Sequence, residues 1–365
     1  MEDHLNVDMY LLRETKFSGN LNGHGGNRRT AQIAELIGKS SFLVEDTQTE
    51  ISSTRLNRYC AGTRVMTKLG FEVPSSLRTV GLYGYYYLNQ KHSFQRHKGP
   101  KVLLWEATDN CITPYIAKEF GFKVIALPHN LESLVAPEIS SSTSHLSKKL
   151  EREIRHLAKA DVIFCMSREE QWLLRFWGIE ANFLPYYPPE AILANLQKIR
   201  EARRSSEKQR FLVIGTAYNP PTRAGMVEQL QWLQRIREKV EFAVDVAGYG
   251  TEDLLEFCNH PDFTVLGTVD SDKLYHLMIE AKAVIVHQKA GAGSLTRIPE
   301  MLIAGIPVIA NSNACRSTSD YTGIYCYDSE IELANLVEKS LHMPSIIDRP
   351  AAAENSFIHN LKVLV

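Results

Sequence analysis

The sequence predicts an α/β protein built from doubly wound parallel sheets. Short apolar runs rich in β-branched residues recur along the 365 residues, and most are followed by a turn and then by a stretch whose apolar residues have helical spacing. Repeated strand–helix units of this kind form parallel sheets covered by helices on both faces. The chain is long for a single core, so we expect two domains.

In the first half, the glycine-rich turn at residues 19–26 follows the first predicted strand and precedes a helix. Strands are predicted over residues 9–12, 101–105, 123–127 and 161–165. Helices are predicted over residues 28–37, 113–120, 146–158 and 168–177. Ser167 is expected to cap the last of these helices, because a serine side chain can accept a hydrogen bond from a free amide of the first turn.

The domain boundary is predicted after Leu184, where three prolines within residues 185–189 interrupt regular structure and a charged helical stretch follows. Strands are then predicted over residues 210–214, 242–247, 263–266, 283–286 and 307–310, and helices over 225–236, 272–279, 296–303 and 330–341. We therefore divide the chain into a first domain (1–188), a linker (189–209), a second domain (210–343) and a C-terminal segment (344–365).

The composition excludes several classes of function. A formal net charge of -1 argues against nucleic acid as the main partner. Six scattered cysteines without a CxxC pair, and an N-terminus without an apolar signal segment, predict reduced thiols in the cytoplasm. No apolar run is long enough to span a bilayer, so any membrane contact would be peripheral. One predicted helix is strongly basic and carries Lys148, Lys149, Arg152, Arg155 and Lys159. These cations form either a solvated helix face or a surface for a lipid-linked acceptor at an anionic membrane, and both interpretations stay open.

Residues 283–311 carry the strongest functional signal, a strand followed by a glycine-rich turn, a helix and a second strand. Small residues in the turn let the backbone approach a ligand closely. An anion is favoured at the start of a helix, where the outward amides would be those of Gly293, Ser294, Leu295 and Thr296. Arg297 adds a permanent positive charge, and Glu300 can accept two hydrogen bonds from a vicinal diol such as a ribose. The pattern favours a nucleotide-diphosphate site over a simple connecting turn.

This segment resembles the donor-binding signature of family-4-like glycosyltransferases of the GT-B architecture, in the variant Gly-x-Gly-Thr-x-x-Lys-x-x-Glu-Ala-x-x-x-Gly-x-Pro-Val. Arg297 stands where that variant has lysine, and Met301 where it has alanine. The commoner form has a glutamate at the position of Ala292, the first acid of a pair that holds donor-sugar hydroxyls and the transition state. The resemblance implies two Rossmann-like domains facing a central cleft, with a nucleotide-sugar donor bound by the second domain.

Seven further segments resemble the family in its order along the chain, at residues 23–26, 127–132, 160–167, 184–186, 213–221, 246–250 and 266–269. By this resemblance, the amides of Gly25 and Gly26 would meet the donor phosphate or the transferred sugar, although a plain turn is the alternative. His129 would contact the donor sugar, and a structural histidine is its alternative. The C-terminal segment would cross back to the first domain.

The second domain would contribute a second cation and the surface for the base. Arg223 looks like the basic residue that meets the diphosphate, and its planar fork suits phosphate oxygens. The alternative is a solvated charge in the first turn of a helix. The resemblance implies that Gly248, Thr268 and Val269 bind the nucleobase of the donor.

Other conspicuous residues receive structural interpretations. Arg28 and Arg29 are expected to be solvated helix charges, and a core position is expected for Trp172, Leu173, Phe176 and Trp177. Asp270 begins a helix and is expected to cap it. No histidine or cysteine cluster has the spacing of a metal site, so we expect neither an essential metal nor a cofactor besides the sugar nucleotide.

The sequence thus predicts a glycosyltransferase that acts with retention and moves a sugar to a hydroxyl of a glycan, a lipid-linked acceptor or a small molecule. An inverting reaction would need a base on the acceptor side, with Glu106, Asp109, Glu132 and Glu138 as candidates. Two alternatives remain open. One is a non-hydrolysing sugar-nucleotide 2-epimerase, and the other is a catalytically weak nucleotide-binding subunit of another transferase.

Overall fold

The computed structural model describes residues 10–20, 25–47, 53–69, 76–135, 143–205, 210–289 and 291–365, with residues 143–145 described by their backbone alone. Three residues considered above lie outside these ranges, namely Gly23, His24 and Glu138. Every cysteine lies inside them, and all six carry free thiols.

The first half of the chain forms a parallel six-stranded sheet in the order β2-β1-β3-β4-β5-β6. Its strands are β1 (Tyr10–Glu14), β2 (Leu43–Asp46), β3 (Val102–Trp105), β4 (Lys123–Ala126), β5 (Val162–Cys165) and β6 (Asn182–Phe183). The helices are α1 (Gly25–Gly38), α2 (Arg55–Leu69), α3 (Leu77–Arg96), α4 (Thr113–Glu119), α5 (Thr143–Leu157) and α6 (Arg168–Phe176).

The second half forms another parallel sheet of six strands, in the order β12-β11-β10-β7-β8-β9. The strands are β7 (Arg210–Ile214), β8 (Ala243–Ala247), β9 (Phe263–Gly267), β10 (Ala281–Val286), β11 (Val308–Asn311) and β12 (Ile324–Tyr327). The helices are α7 (Glu190–Ala202), α8 (Pro220–Arg237), α9 (Ser271–Glu280), α10 (Arg297–Ile303), α11 (Glu330–Glu338) and α12 (Ala351–Leu364). The predicted α/β class with two parallel sheets is confirmed.

The helices α2 and α3 and the edge strands β2, β6 and β12 are absent from the sequence prediction. The two helices pack so closely that a Cβ at Gly62 would collide with the carbonyl of Val80, and one at Gly84 with the carbonyl of Arg58. Glycine and alanine thus occupy much of the buried face of α2. A face built from such small residues gives little apolar periodicity to detect.

Two helices pack away from the sheet that precedes them. Helix α7, within the predicted linker, packs on the second domain through Ile192, Leu196 and Ile199. Helix α12 packs on the first domain, where the ring centroids of Phe357 and Phe164 lie 5.3 Å apart. Within the described ranges, no helix combines the length and apolarity needed to cross a bilayer.

Gly248 closes the turn after β8, and its substitution should be costly. Its φ is 127°, and an added Cβ would collide with the carbonyl oxygen of Gly215. Gly178 is a matched control, because its φ is 76° but no described atom lies within 4 Å of its Cβ position. We expect Gly178→Ala to lower the free energy of unfolding by about 1 kcal/mol, for the left-handed backbone alone. Gly248→Ala should cost about 3 kcal/mol. Denaturant unfolding measures both, and equal losses would contradict the predicted collision.

Candidate functional site

The predicted site residues gather where the carboxyl ends of the two sheets face each other. In a parallel sheet the loops after the strand ends share one crevice. Gly293, in the loop after β10, lies so close to the loop after β4 that an added Cβ would collide with Oδ1 of Asn130. A Cβ at Gly25, the first residue of α1, would lie 2.5 Å from Oγ1 of Thr296. The glycine turns of the two domains therefore meet.

The loop before α10 exposes its amides to this crevice. Gly291 and Gly293 have φ values of 124° and 81°, which only glycine adopts without strain. Within the described part of the chain, the amides of Gly293, Ser294 and Leu295 donate to no other group. Thr296 has helical backbone angles, and its side chain accepts no capping bond. These amides are free to bind an acceptor oxygen.

Arg297 is a cation without a carboxylate partner among the described residues. Its Nη1 donates to the carbonyl of Ile214 at 3.1 Å, and its Nε is buried without a hydrogen-bond partner. Burial lowers the pKa of Arg297 to about 10, still far above neutrality, so the group remains charged. Arg297 is only partly exposed, and a charge withdrawn from water is normally paired, so its guanidinium is suited to bind an anionic ligand.

Helix α10 is held in place by Arg200 of α7 and by Arg203, the residue that caps α7. Arg203 donates to the carbonyls of Gly305 at 3.0 Å and Met278 at 2.5 Å. Arg200 donates to the carbonyls of Leu302 and Ile303, at the end of α10. Because these bonds satisfy the carbonyls at its C-terminal end, α10 presents Arg297 and Glu300 in a fixed orientation.

Glu300 lies at the contact between the domains and is 2% exposed. The hydroxyl of Tyr186 donates to Oε1 of Glu300 at 2.6 Å, and the guanidinium of Arg28 forms an ion pair with Oε2. Nε of Arg28 is buried without a hydrogen-bond partner. Both carboxylate oxygens expected to bind a ribose are thus engaged by groups from the other half of the chain.

The prediction that Arg28 and Arg29 are solvated is wrong. Arg28 reaches across the crevice to Glu300, whereas Arg29 is 1% exposed and donates to Oε1 of Gln32 at 2.6 Å. Burial lowers the pKa of Arg29 to about 10. One signal in the sequence could have placed Arg29, which lies four residues before Ile33 and so on the same buried face of α1. The roles of Arg28 and Tyr186 have no comparable signal.

His129 is buried in the first domain, in the loop after β4. Its Nε2 is 3.1 Å from Oε2 of Glu106, and its ring stacks on Phe17 with centroids 4.6 Å apart. Thr30 also donates to Oε2 of Glu106. A Cβ at Gly26 would collide with the ring of Phe17, so this glycine allows the stack to form. A carboxylate therefore orients the imidazole beside the meeting point of the two loops.

The candidate bases differ in their access to solvent. Glu106 is 3% exposed and engaged with His129 and Thr30. Asp109 forms an ion pair with Lys16 and remains partly exposed. Glu132 begins a short 3-10 turn on the surface. Glu106 therefore orients other side chains, whereas Asp109 and Glu132 are accessible to solvent.

The residues predicted to meet the nucleobase lie just after the ends of β8 and β9. The amide of Gly248 donates to the carbonyl of Gly267 at 2.8 Å. Thr268, which follows, is exposed, and Val269 is half-buried against the core. Arg223, in the first turn of α8, is half-buried.

The two domains are also joined beside the glycine loop. Arg316 donates to the carbonyl of Gly291 at 2.5 Å and to Oε1 of Gln288 at 3.2 Å. Next to it, Oγ of Ser317 accepts from the amide of Arg168 at 2.8 Å, and the Ser317 amide donates to Glu169 at 3.0 Å. This segment couples the glycine loop to the start of α6.

Two capping predictions are confirmed. Ser167 accepts from the amide of Glu170 at 3.2 Å, and Asp270 accepts from the amide of Lys273 at 2.7 Å.

Over the ranges that the structure covers, no group of three or more histidine, cysteine, aspartate or glutamate side chains could hold a metal ion.

The predicted core position of the aromatic residues on α6 is wrong. Trp172, Phe176 and Trp177 are 61%, 88% and 48% exposed, whereas Leu174 is fully buried and Leu173 packs partly on the core. The adjoining strand β6 has two residues and lies at the edge of the sheet, so α6 packs near the border of the first domain.

Solved structures share this fold at low sequence identity. No protein-family model and no curated protein matches the sequence. An α,α-trehalose 6-phosphate synthase from Burkholderia multivorans is similar over 97% of this chain and 94% of its own, with a TM-score of 0.64 and 12% identity. A sucrose-phosphate synthase from Thermosynechococcus elongatus is similar over 98% and 94%, with a TM-score of 0.60 and 16% identity.

A UDP-GlcNAc 2-epimerase from Methanocaldococcus jannaschii is similar over 97% of this chain and 99% of its own, with a TM-score of 0.54 and 12% identity. At these identities the likeness establishes the fold and leaves the reaction to other arguments. With its two parallel six-stranded sheets facing one crevice, the chain has the GT-B fold of two Rossmann-like domains.

Proposed function

We propose that this protein is a glycosyltransferase that moves a sugar from a nucleotide-diphosphate donor to a hydroxyl acceptor bound by the first domain. The observation that carries the proposal is Arg297, a half-buried cation that has no carboxylate partner among the described residues and lies beside free backbone amides. A diphosphate would satisfy both, because it brings negative charge and several acceptor oxygens. The same groups would stabilise the charge that develops on the leaving diphosphate.

The remaining roles follow from this placement. Glu300 would exchange its present partners for the ribose hydroxyls, and Arg223 would meet the diphosphate from the first turn of α8. His129, oriented by Glu106, would contact the donor sugar. We propose that transfer proceeds with retention and without a metal, since cations and amides supply the charge that a metal would supply. The acceptor proton would then leave by way of a phosphate oxygen.

The test is calorimetric titration with uridine, guanosine, thymidine and adenosine diphosphates, followed by incubation with the matching sugar nucleotides. We expect one nucleotide to bind, and its sugar to appear on an acceptor or on water at an unchanged rate in EDTA. Failure of all four to bind would refute the proposal.

The epimerase is the second candidate, because an epimerase structure shares this fold. It would convert the donor into its C2 epimer without any acceptor, which nuclear magnetic resonance of the reaction mixture detects. A nucleotide-binding subunit without activity of its own would bind and release the donor unchanged over a panel of acceptors.

Arg28 should compete with the ribose for Glu300. Arg28 occupies one oxygen of the Glu300 carboxylate, so binding of a diol there requires the ion pair to open. We expect Arg28→Met to tighten nucleoside-diphosphate binding about fivefold, since a partly exposed ion pair contributes about 1 kcal/mol. Titration calorimetry measures the change, and Arg204→Met, at a side chain that is 67% exposed, is the control. Weaker binding in Arg28→Met would show instead that Arg28 contacts the nucleotide.

A further inference from the structure

The strongest feature outside the crevice is a surface formed by α5 and α6, which we name the basic-aromatic face. It comprises Lys148, Lys149, Arg152, Arg155, Lys159, Trp172, Phe176 and Trp177. Its three aromatic side chains are at least 48% exposed. Trp172 and Trp177 are also the only exposed tryptophans of the chain, all four of which the structure describes.

The two helices are neighbours in the fold. Ile154 of α5 and Leu174 of α6 pack into one core cluster. The turn after β4 also bridges them, because Glu170 of α6 accepts from the amide of Leu131 and Glu153 of α5 accepts from the amide of Ser133. The cations and the exposed rings therefore share one layer of the first domain.

The cations recur on α5 with helical spacing. Lys148, Arg152 and Arg155 are separated by three or four residues, so they project to one side of the helix, and Lys159 follows in the turn after it. On α6, Trp172 and Phe176 are four residues apart and form a second stripe. Only one acid on α5 is exposed, Glu151, and it pairs with Arg155.

We propose that the basic-aromatic face binds the surface of an anionic lipid bilayer. Tryptophan is favoured at the boundary between headgroups and acyl chains, because its ring is apolar and its N–H is polar. Lysine and arginine beside it are attracted to anionic headgroups. The composition of the face favours a bilayer over a protein partner. Three of the five cations are lysines, and lysine is depleted at protein–protein interfaces.

Such contact would be peripheral and would place the first domain against the bilayer. If the proposed transferase activity holds, an acceptor anchored in the membrane would then lie close to the first domain, which is proposed to bind it. The surface proposal can be tested without nucleotide, so its failure and the failure of the proposed activity are distinguishable.

The experiment is co-sedimentation of the full chain with vesicles of phosphatidylcholine, with and without phosphatidylglycerol. We expect binding only to the anionic vesicles. The binding should weaken at about 0.5 M salt, because salt screens the attraction between the cations and the headgroups. The double variants Trp172→Ala/Phe176→Ala and Lys148→Gln/Lys149→Gln should each lower the partition coefficient about tenfold. Ile331→Ala is the matched control, because Ile331 is 76% exposed on the second domain.

Three results would overturn the proposal. The first is equal binding to neutral and anionic vesicles, and the second is no binding to either. The third is concentration-dependent self-association in sedimentation velocity that Phe176→Ala abolishes, which would assign the face to a second copy of the chain. Each variant should unfold at the same temperature as the wild type, which would show that these substitutions at exposed residues leave the fold intact.

Discussion

Arg297→Met is expected to lower affinity for the nucleotide-diphosphate donor about a hundredfold, while the ligand-free protein unfolds at no lower a temperature than the wild type. The loss follows from the charge-assisted hydrogen bonds of the guanidinium to phosphate, which together contribute about 3 kcal/mol. The unchanged stability follows from the missing carboxylate, because methionine replaces a half-buried charge that has no carboxylate partner among the described residues. Calorimetry and thermal unfolding without ligand measure the two effects.

Arg203→Met is the matched control for this experiment. Arg203 is equally cationic, and burial also lowers its pKa to about 10, yet its guanidinium donates to the carbonyls of Gly305, Met278 and Ile279. Its removal should destabilise the fold, because those carbonyls lose their donors. Arg297→Lys should keep most of the donor affinity, since it retains the charge. If Arg297→Met destabilises the protein as much as Arg203→Met, Arg297 has a structural role.

Glu300→Ala is expected to lower kcat/KM for the donor by a factor of about 10² to 10³. A carboxylate that accepts both ribose hydroxyls makes two charge-assisted hydrogen bonds, each contributing about 1.5–3 kcal/mol. The ribose is remote from the reacting bond, so we expect most of the loss in KM. Steady-state kinetics separates the two parameters.

A donor that lacks the ribose 2′-hydroxyl provides the decisive comparison. This donor should be a poorer substrate than the natural one for the wild type, and no poorer for Glu300→Ala, because the two changes remove the same contact. Tyr186→Phe controls for disturbance of the carboxylate, since it removes only the hydroxyl that donates to Oε1. Independent, additive losses from the deoxy donor and Glu300→Ala would place the ribose elsewhere.

Much of the fold was accessible from sequence because buried parallel strands have a strong signature. The strand β7 begins and ends where predicted, and β3, β4 and β10 differ by one or two residues at an end. Each is apolar over most of its length, since helices cover both faces of the sheet. The helices α2 and α3 were missed because they pack through glycine, which contributes no apolar side chain to a periodic pattern.

The candidate site was predictable only in part. The loop before α10 is local, so its glycines, Arg297 and Glu300 could be recognised together in one segment. The partners of Glu300 could not, because Arg28 is 272 residues away along the chain and Tyr186 is 114 residues away. The same holds for the pairing of His129 with Glu106, which depends on the adjacency of β3 and β4.

By itself, the sequence determined the α/β class, the strand–helix order and the chemistry carried by the loop around Gly293. These properties depend on residues near one another in the chain, where periodicity and backbone preference act directly. The tertiary structure alone decided which carboxylate Arg28 meets, that Arg297 has no carboxylate partner among the described residues, and which aromatic side chains at α6 face outward. The physical reason is that charge pairing and burial depend on distances between elements, and those distances are set by how the two sheets and their helices pack.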